Sequence, residues 1–185
     1  LYDWDCGPCR GAKLLVGENP DDGESARVDL PRNRQGRATI AEGRNDENLL
    51  VSQLHLLFIQ LHNRVVAQLH GADQDLIGNE LFDQAHRTVR WHYQWVVIHD
   101  FLPTIIHHET IEKVFPHTAC AGTIGEHPPV FSIHKLRGGL ELMPVEFSVA
   151  AYRFGPSMIR PIYRLNETTS PRAILSQAPD PPGDL

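Results

Sequence analysis

The stretch GRNDENLLVSQLHLLFIQLHN, from Gly43 to Asn63, limits the possible folds of this chain more than any other. It opens on opposite charges three residues apart, Arg44 and Glu47, and then turns apolar on almost every face. From about Asp46 to His70 the pattern is helical. Leu50, Leu54, Leu57, Leu61 and Val65 recur at i, i+4, i+7, i+11 and i+15, while Leu49, Val51, Leu56, Phe58, Ile59, Val66 and Leu69 fill the other faces. A helix apolar all round belongs inside a larger body. The charges at its head have two readings. Arg44 can steady charge developing on a ligand in a pocket, with Glu47 as an anchoring carboxylate. Alternatively, Asp46 and Glu47 simply favour a helix N-terminus, worth about 0.3–1 kcal/mol each, with Arg44 a solvated neighbour. Spacing alone favours the second reading.

The rest of the chain supports a mainly α fold in a single partial domain, residues 1–185. Residues 1–42, rich in Gly, Pro, Asp and Arg, form an irregular loop-rich segment in which only Lys13 to Val16 is apolar enough for a short strand or buried turn. GENPDDGESARVDLPRNRQGRATI reads as a long surface excursion. Residues 43–165 form a helical core. Gly71 ends the first helix and Asp75 to Gly78 make a turn. A second helix runs from about Asn79 to Phe101, with Phe82, Ala85, Val89, Tyr93, Val96 and Val97 on one stripe. Pro103 allows one more short turn, to about Val114. Residues 116–130 read as loop, and 131–142 are ambiguous around Gly138-Gly139. A third helix starts near Pro144, a residue tolerated in a first turn, with Phe147, Ala150, Ala151, Phe154 and Met158 on one face and Pro161 closing it. Residues 166–185 form a loop-like tail.

With 185 residues, 41% of them hydrophobic, the chain is long enough for a real core. A net charge of -6 with scattered Lys and Arg argues against a nucleic-acid footprint. No apolar run reaches the roughly 18 residues of a membrane span. The start without Met and the end in SQAPDPPGDL read as cuts through a longer protein.

Several residues invite chemistry. CGPC at Cys6 to Cys9 matches the turn that lowers a thiol pKa in thioredoxins, but no buried strand precedes it and no long helix follows. A structural turn or half of a zinc site suits it better. A small redox or metal-binding module built on these two cysteines remains an alternative. His55 and His62 share a helix face at a spacing of seven. Asp83 and His86 have the i, i+3 spacing of di-iron bundles, without the second copy such bundles need. Hydrogen-bonded histidines are the expectation for His55, His62, His86, His92 and His99, and an exposed helix end for His107-His108. Asn166-Glu167-Thr168 matches a glycosylation sequon, meaningful only in a secreted eukaryotic protein.

Three segments together resemble the animal-type haem peroxidases of the peroxidase–cyclooxygenase superfamily, especially bacterial members. GRNDENLLVSQLHLLFIQLHNRVV resembles the family's Arg-x-x-Glu segment running into a helix with a His-Asn pair. FDQAHRTVRWHYQWVVIHDFLPTII resembles the following helix, and EFSVAAYRFGPSMIRPIYRL the helix that holds the haem iron. The resemblance implies that residues 43–165 are a helical haem-pocket core. It implies haem b as cofactor, hydrogen peroxide and a halide or small organic donor as substrates, and secretion as a family tendency. A calcium loop and the distal histidine would lie upstream of Leu1, and the asparagine partner of the proximal histidine beyond Leu185.

Position by position, the resemblance makes Arg44 the distal arginine that polarises the peroxide O–O bond. Glu47 becomes the carboxylate that esterifies a haem methyl, and Arg153 the partner of a haem propionate. Asn48 stands where one member has a vinyl-linked methionine, so that extra link is not expected. The departure is Pro156. The family writes Arg-aromatic-Gly-His and uses that histidine as proximal iron ligand, whereas this chain has Arg153-Phe154-Gly155-Pro156. Proline offers no ligand atom, and in a helix interior it costs ~3 kcal/mol or more. The chain is therefore expected to be inactive by itself. A haem-less pseudoperoxidase with a binding or scaffold role is the first alternative.

Overall fold

Asn48 starts the first long helix. Its extended backbone and its Oδ1, which accepts from the Leu50 and Val51 amides at 2.9 and 3.3 Å, satisfy two of the amides that no helical carbonyl reaches. In a computed structural model, which describes residues 1–18, 28–115, 143–158, 160, 162–163 and 172–173, the architecture is mainly α. Helix α1 spans Leu49–Ala72, α2 Gly78–Val96, α3 Leu102–Ile105, α4 His108–Val114 and α5 Val145–Val149. Two short antiparallel pairs accompany them. In the first, β1 (Gly17–Glu18) pairs with β2 (Val28–Asp29), setting Gly17 opposite Asp29. In the second, β3 (Ile162–Tyr163) pairs with β4 (Arg172–Ala173). The chain divides into two compact units, residues 1–90 with 160–185, and residues 91–159.

In the first unit, α1 packs by one stripe. Ser52, Leu56, Ile59, His62, Val65 and Val66 are buried. The stripe expected to lead the core, Leu50, Leu54 and Leu57, is 43, 53 and 60% exposed. Among the described residues of this unit, nothing encloses that stripe. Its C-terminal half meets α2 in a cluster of Val65, Val66, Leu76, Leu81 and Ala85, joined by Cys9 and Ala12. Full burial of residues such as Leu81 and Val66 contributes about 1.5–3 kcal/mol each. The helix runs through Gly71 to a cap at Asp73, and Gly78, at φ +60°, opens α2.

The expected surface excursion after Val16 is mostly exposed where it is described, with one anchor the sequence did not suggest. Leu30 is 1% exposed and packs with Leu56 and Ile59, flanked by Leu14, Val16, Ala38 and Ile40. Single apolar residues among Pro, Asp and Arg were enough to build a second cluster with Leu56 and Ile59 of α1. Backbones come close here: a Cβ at Gly17 would collide with the Leu30 carbonyl, which keeps that position glycine. Residues 19–27 of the excursion lie outside the described residues.

In the second unit, the helix expected to reach Phe101 ends as α-helix at Val96 and continues as one π turn, Val97–Phe101. The Leu102 amide donates to the Val97 carbonyl five residues back. Pro103 explains the shift, since it donates no hydrogen bond and its ring crowds the carbonyl four residues before it. Tyr93 and Val96, expected on the buried stripe, are 52 and 41% exposed. His107 caps α4 and both His107 and His108 are exposed. The third expected helix is also corrected. Only Val145–Val149 is α-helical, Pro144 being its cap, and Ala151–Met158 is 3-10 helix. The α-helix ends at Ala150, whose φ of -122° and ψ of -72° leave the helical region, and Gly155-Pro156 disfavours its return to α geometry further on. Phe147, Phe154 and Met158 are 45–49% exposed. The expectations for residues 116–142 and the sequon at Asn166 fall outside the described residues.

Candidate functional site: an arginine cleft ahead of the first helix

Arg44 lies in a single 3-10 turn, Gly43–Asp46, between β2 and α1. The turn is held from both sides. Arg32 forks onto Asp46 through Nη1 and Nη2 at 2.8 and 2.9 Å, while its Nε donates to Asp29 at 2.8 Å and Nη1 to the Gly36 carbonyl at 2.9 Å. Asp46 also accepts from the Ala38 amide at 3.3 Å. Hydrogen bonds to Asp46 and Asp29 push the Arg32 guanidinium above its ordinary value, so it stays charged at any accessible pH. On the other side, Asn45 Nδ2 donates to His55 Nδ1 at 2.8 Å, fastening the turn to α1.

Arg44 and Glu47 line one open cleft of about 500 Å³, together with Arg37, Glu42 and Asp46. The Arg44 side chain is 77% exposed and forks onto Glu42, Nε at 2.9 Å and Nη2 at 2.7 Å. These bonds, with the Arg44 backbone amide, hold the Glu42 carboxyl down at about 2. Glu47 caps the turn, its amide donating to the Arg44 carbonyl at 3.2 Å, and is exposed. The plain reading of Asp46 as a helix-head charge is corrected: α1 starts three residues later, and Asp46 is the bidentate partner of Arg32. Sequence reasoning missed Arg32, Glu42 and Asn45. An Arg-Asp pair fourteen residues apart across a loop leaves no periodic signal.

Arg153 sits in the 3-10 turn of the second unit, exposed, its guanidinium 5.8 Å from the Tyr152 ring. Pro156 lies in the same turn.

The histidines find separate partners. Buried His62 donates from Nε2 to the Ala12 carbonyl at 2.8 Å, and burial lowers its pKa. Beside it, Asn63 pairs with the Leu14 backbone in both directions at 2.8 Å. His86 stacks on Phe82 and accepts from Arg90 at 3.2 Å. His99 donates from Nδ1 to the Trp95 carbonyl at 3.0 Å, but its Nε2 is buried with no partner, which departs from the expectation of full satisfaction. Among the described residues no three His, Cys, Asp or Glu side chains cluster as metal ligands. Cys6, the first thiol of CGPC, is pushed up by burial rather than lowered, against a thioredoxin-like role.

The family model of the animal haem peroxidases matches residues 10–179. The chain belongs to the animal haem peroxidase family. It is 26% identical over 163 residues to peroxidasin of Drosophila melanogaster, covering 88% of this chain and 10% of that protein. To thyroid peroxidase of Homo sapiens it is 26% identical over 156 residues, 83% of this chain and 15% of that protein. To eosinophil peroxidase of Mus musculus it is 26% identical over 138 residues, 74% and 17%. The chain thus spans at most about a sixth of the length of these relatives. No solved structure matches it.

Membership implies haem, and the residues present fit it in part. A cationic fork and a carboxylate share one cleft, and α1 exposes Leu50, Leu54 and Leu57 directly after it, an apolar surface next to charged groups. That donor set suits the rim of a porphyrin. Among the described residues no cluster of three His, Cys, Asp or Glu side chains adds a metal site to that set.

Proposed function

We propose that this chain is a segment of a haem peroxidase that contributes the arginine side of its peroxide site and has no peroxidase activity by itself. The observation that carries the reading is the joint lining of one cleft by Arg44 and Glu47, at the position and spacing of the family's Arg-x-x-Glu. Haem b, when bound in the full protein, supplies reduction of hydrogen peroxide and oxidation of a halide or small organic donor. Arg44 donates from Nε and Nη2 toward an oxygen that gains negative charge, a contribution of about 2.7–4 kcal/mol for one well-placed donor in a dry site. To do so its fork must turn away from Glu42. Glu47 holds a carboxylate available for ester attachment of the macrocycle, and Arg153 offers a planar fork to a propionate. Pro156 withdraws the proximal ligand. Calcium, secretion and the bacterial affinity rest on the resemblance alone.

The experiment is reconstitution of the 185-residue chain with haemin. The expected outcome is no peroxide turnover and no Soret band of a histidine-ligated haem. Robust turnover would overturn the inactivity. The pseudoperoxidase reading is separated by haem content of the full protein as purified: stoichiometric haem excludes it.

A further inference from the structure

The Cys6-Gly7-Pro8-Cys9 turn plays no part in the site described above. Gly7–Cys9 is one turn of 3-10 helix with Cys6 as its N-cap, Gly7 at φ +63° and Pro8 in the first positions. The two thiols act on each other electrostatically and share one apolar cluster, which makes them near neighbours across the turn. A disulfide takes Cα separations of about 4.4–6.8 Å. Both residues are free thiols. Cys9 is buried in the cluster of Val65, Val66, Leu81 and Ala85, and Cys6 is half-buried against the same cluster. One thiol is within reach of solvent and the other stands behind it.

We propose that Cys6 and Cys9 form a reversible dithiol–disulfide pair, a redox modification site that locks the N-terminal turn onto the α1–α2 core. The Cys6 thiolate attacks a sulfur of a small disulfide oxidant of the glutathione class, its S–S bond breaks, and one glutathione thiolate leaves. The Cys9 thiolate then attacks the Cys6 sulfur, the intramolecular bond forms, and the second glutathione leaves. Two protein thiols are oxidised, one glutathione disulfide is reduced to two thiols, and the protons balance. Burial, then Asp3 and Cys9, push the Cys6 thiol up against the opposing pull of Lys13, so the exchange is slow at neutral pH and faster in alkaline buffer. The lock matters because the residues just beyond it, Ala12 and Leu14, hold His62 and Asn63 of α1.

The test uses the whole chain, treated with oxidised glutathione in alkaline buffer, alkylated, and cut with trypsin. Cleavage after Arg10 leaves both thiols in one peptide, Leu1 to Arg10. The expected product is that peptide about 2 Da lighter than the dithiol, without alkylation or glutathione, restored by dithiothreitol. The oxidised chain should melt roughly 2–6 °C higher. Cys6→Ser, at the half-buried position, should abolish both effects while the protein still folds. A stable glutathione adduct on Cys6, two thiols still open to alkylation, or linkage to Cys120 or a second chain would overturn the pairing. So would zinc protecting both thiols at one equivalent, and an unchanged melting temperature would overturn the lock.

Discussion

At Asp46 a single carboxylate accepts from both Nη atoms of Arg32 and from the Ala38 amide, and this fixes where Arg44 can stand. Arg32 is committed to structure, and Arg44, two residues before Asp46, is 77% exposed and forks onto Glu42 along the same cleft. His62 carries a pH signature of its own. Its folded pKa is lowered by burial, so the unfolded chain takes up a proton first as pH falls. Stability is full above the ordinary histidine value of about 6.5 and is lost as pH drops toward the folded pKa, with a slope of at most about 1.4 kcal/mol per pH unit. His62→Gln, which keeps an amide donor for the Ala12 carbonyl, should flatten that part of the profile between pH 8 and pH 5 in urea titrations. An unchanged slope would remove His62 as its source.

Elements in this chain are set by their ends and by their partners. Asn48 and Asp73 bound α1, and Pro103 forces a π turn into the helix ahead of it. Asn63 helps His62 and the Cys9–Ala12 packing hold the N-terminal segment to α1, its amide standing in for a strand by donating to and accepting from Leu14. Asn63→Ala leaves a partly buried amide and carbonyl unpaired, at about 1–3 kcal/mol. Its urea midpoint should fall with an unchanged m-value. A changed m-value would instead mean that the segment detaches in the native state.

At the scale of the whole molecule, the family match over residues 10–179 sits beside a coverage of 10–17% of the relatives' length. Leu50, Leu54 and Leu57 form an apolar face left exposed among the described residues. The proposed ligand position, Pro156, is tested at this scale. In the full-length protein, Pro156→His should raise haem affinity roughly tenfold or more, since even the partners of a metal ligand are worth that much. Haemin titration followed at the Soret band measures it, and unchanged affinity would argue against the assigned position.

By itself the sequence determined the helical class, the extent of α1 and α2 to within a few residues, and the Arg-x-x-Glu at the head of α1. These are local: periodicity, caps and spacing act over one or two helical turns. It also marked Gly155-Pro156 as unfavourable to α-helix, and those residues lie in 3-10 helix where an α-helix was expected. Which face of α1 is buried was not legible, because Leu occupies both stripes and only the contacts of Leu30 and α2 choose between them. Nor was the Arg32–Asp46 pair that seats Arg44, or the Asn63 clasp on Leu14. Those bonds join residues 14 and 49 positions apart, and no local propensity encodes a partner at that distance; tertiary packing decided it.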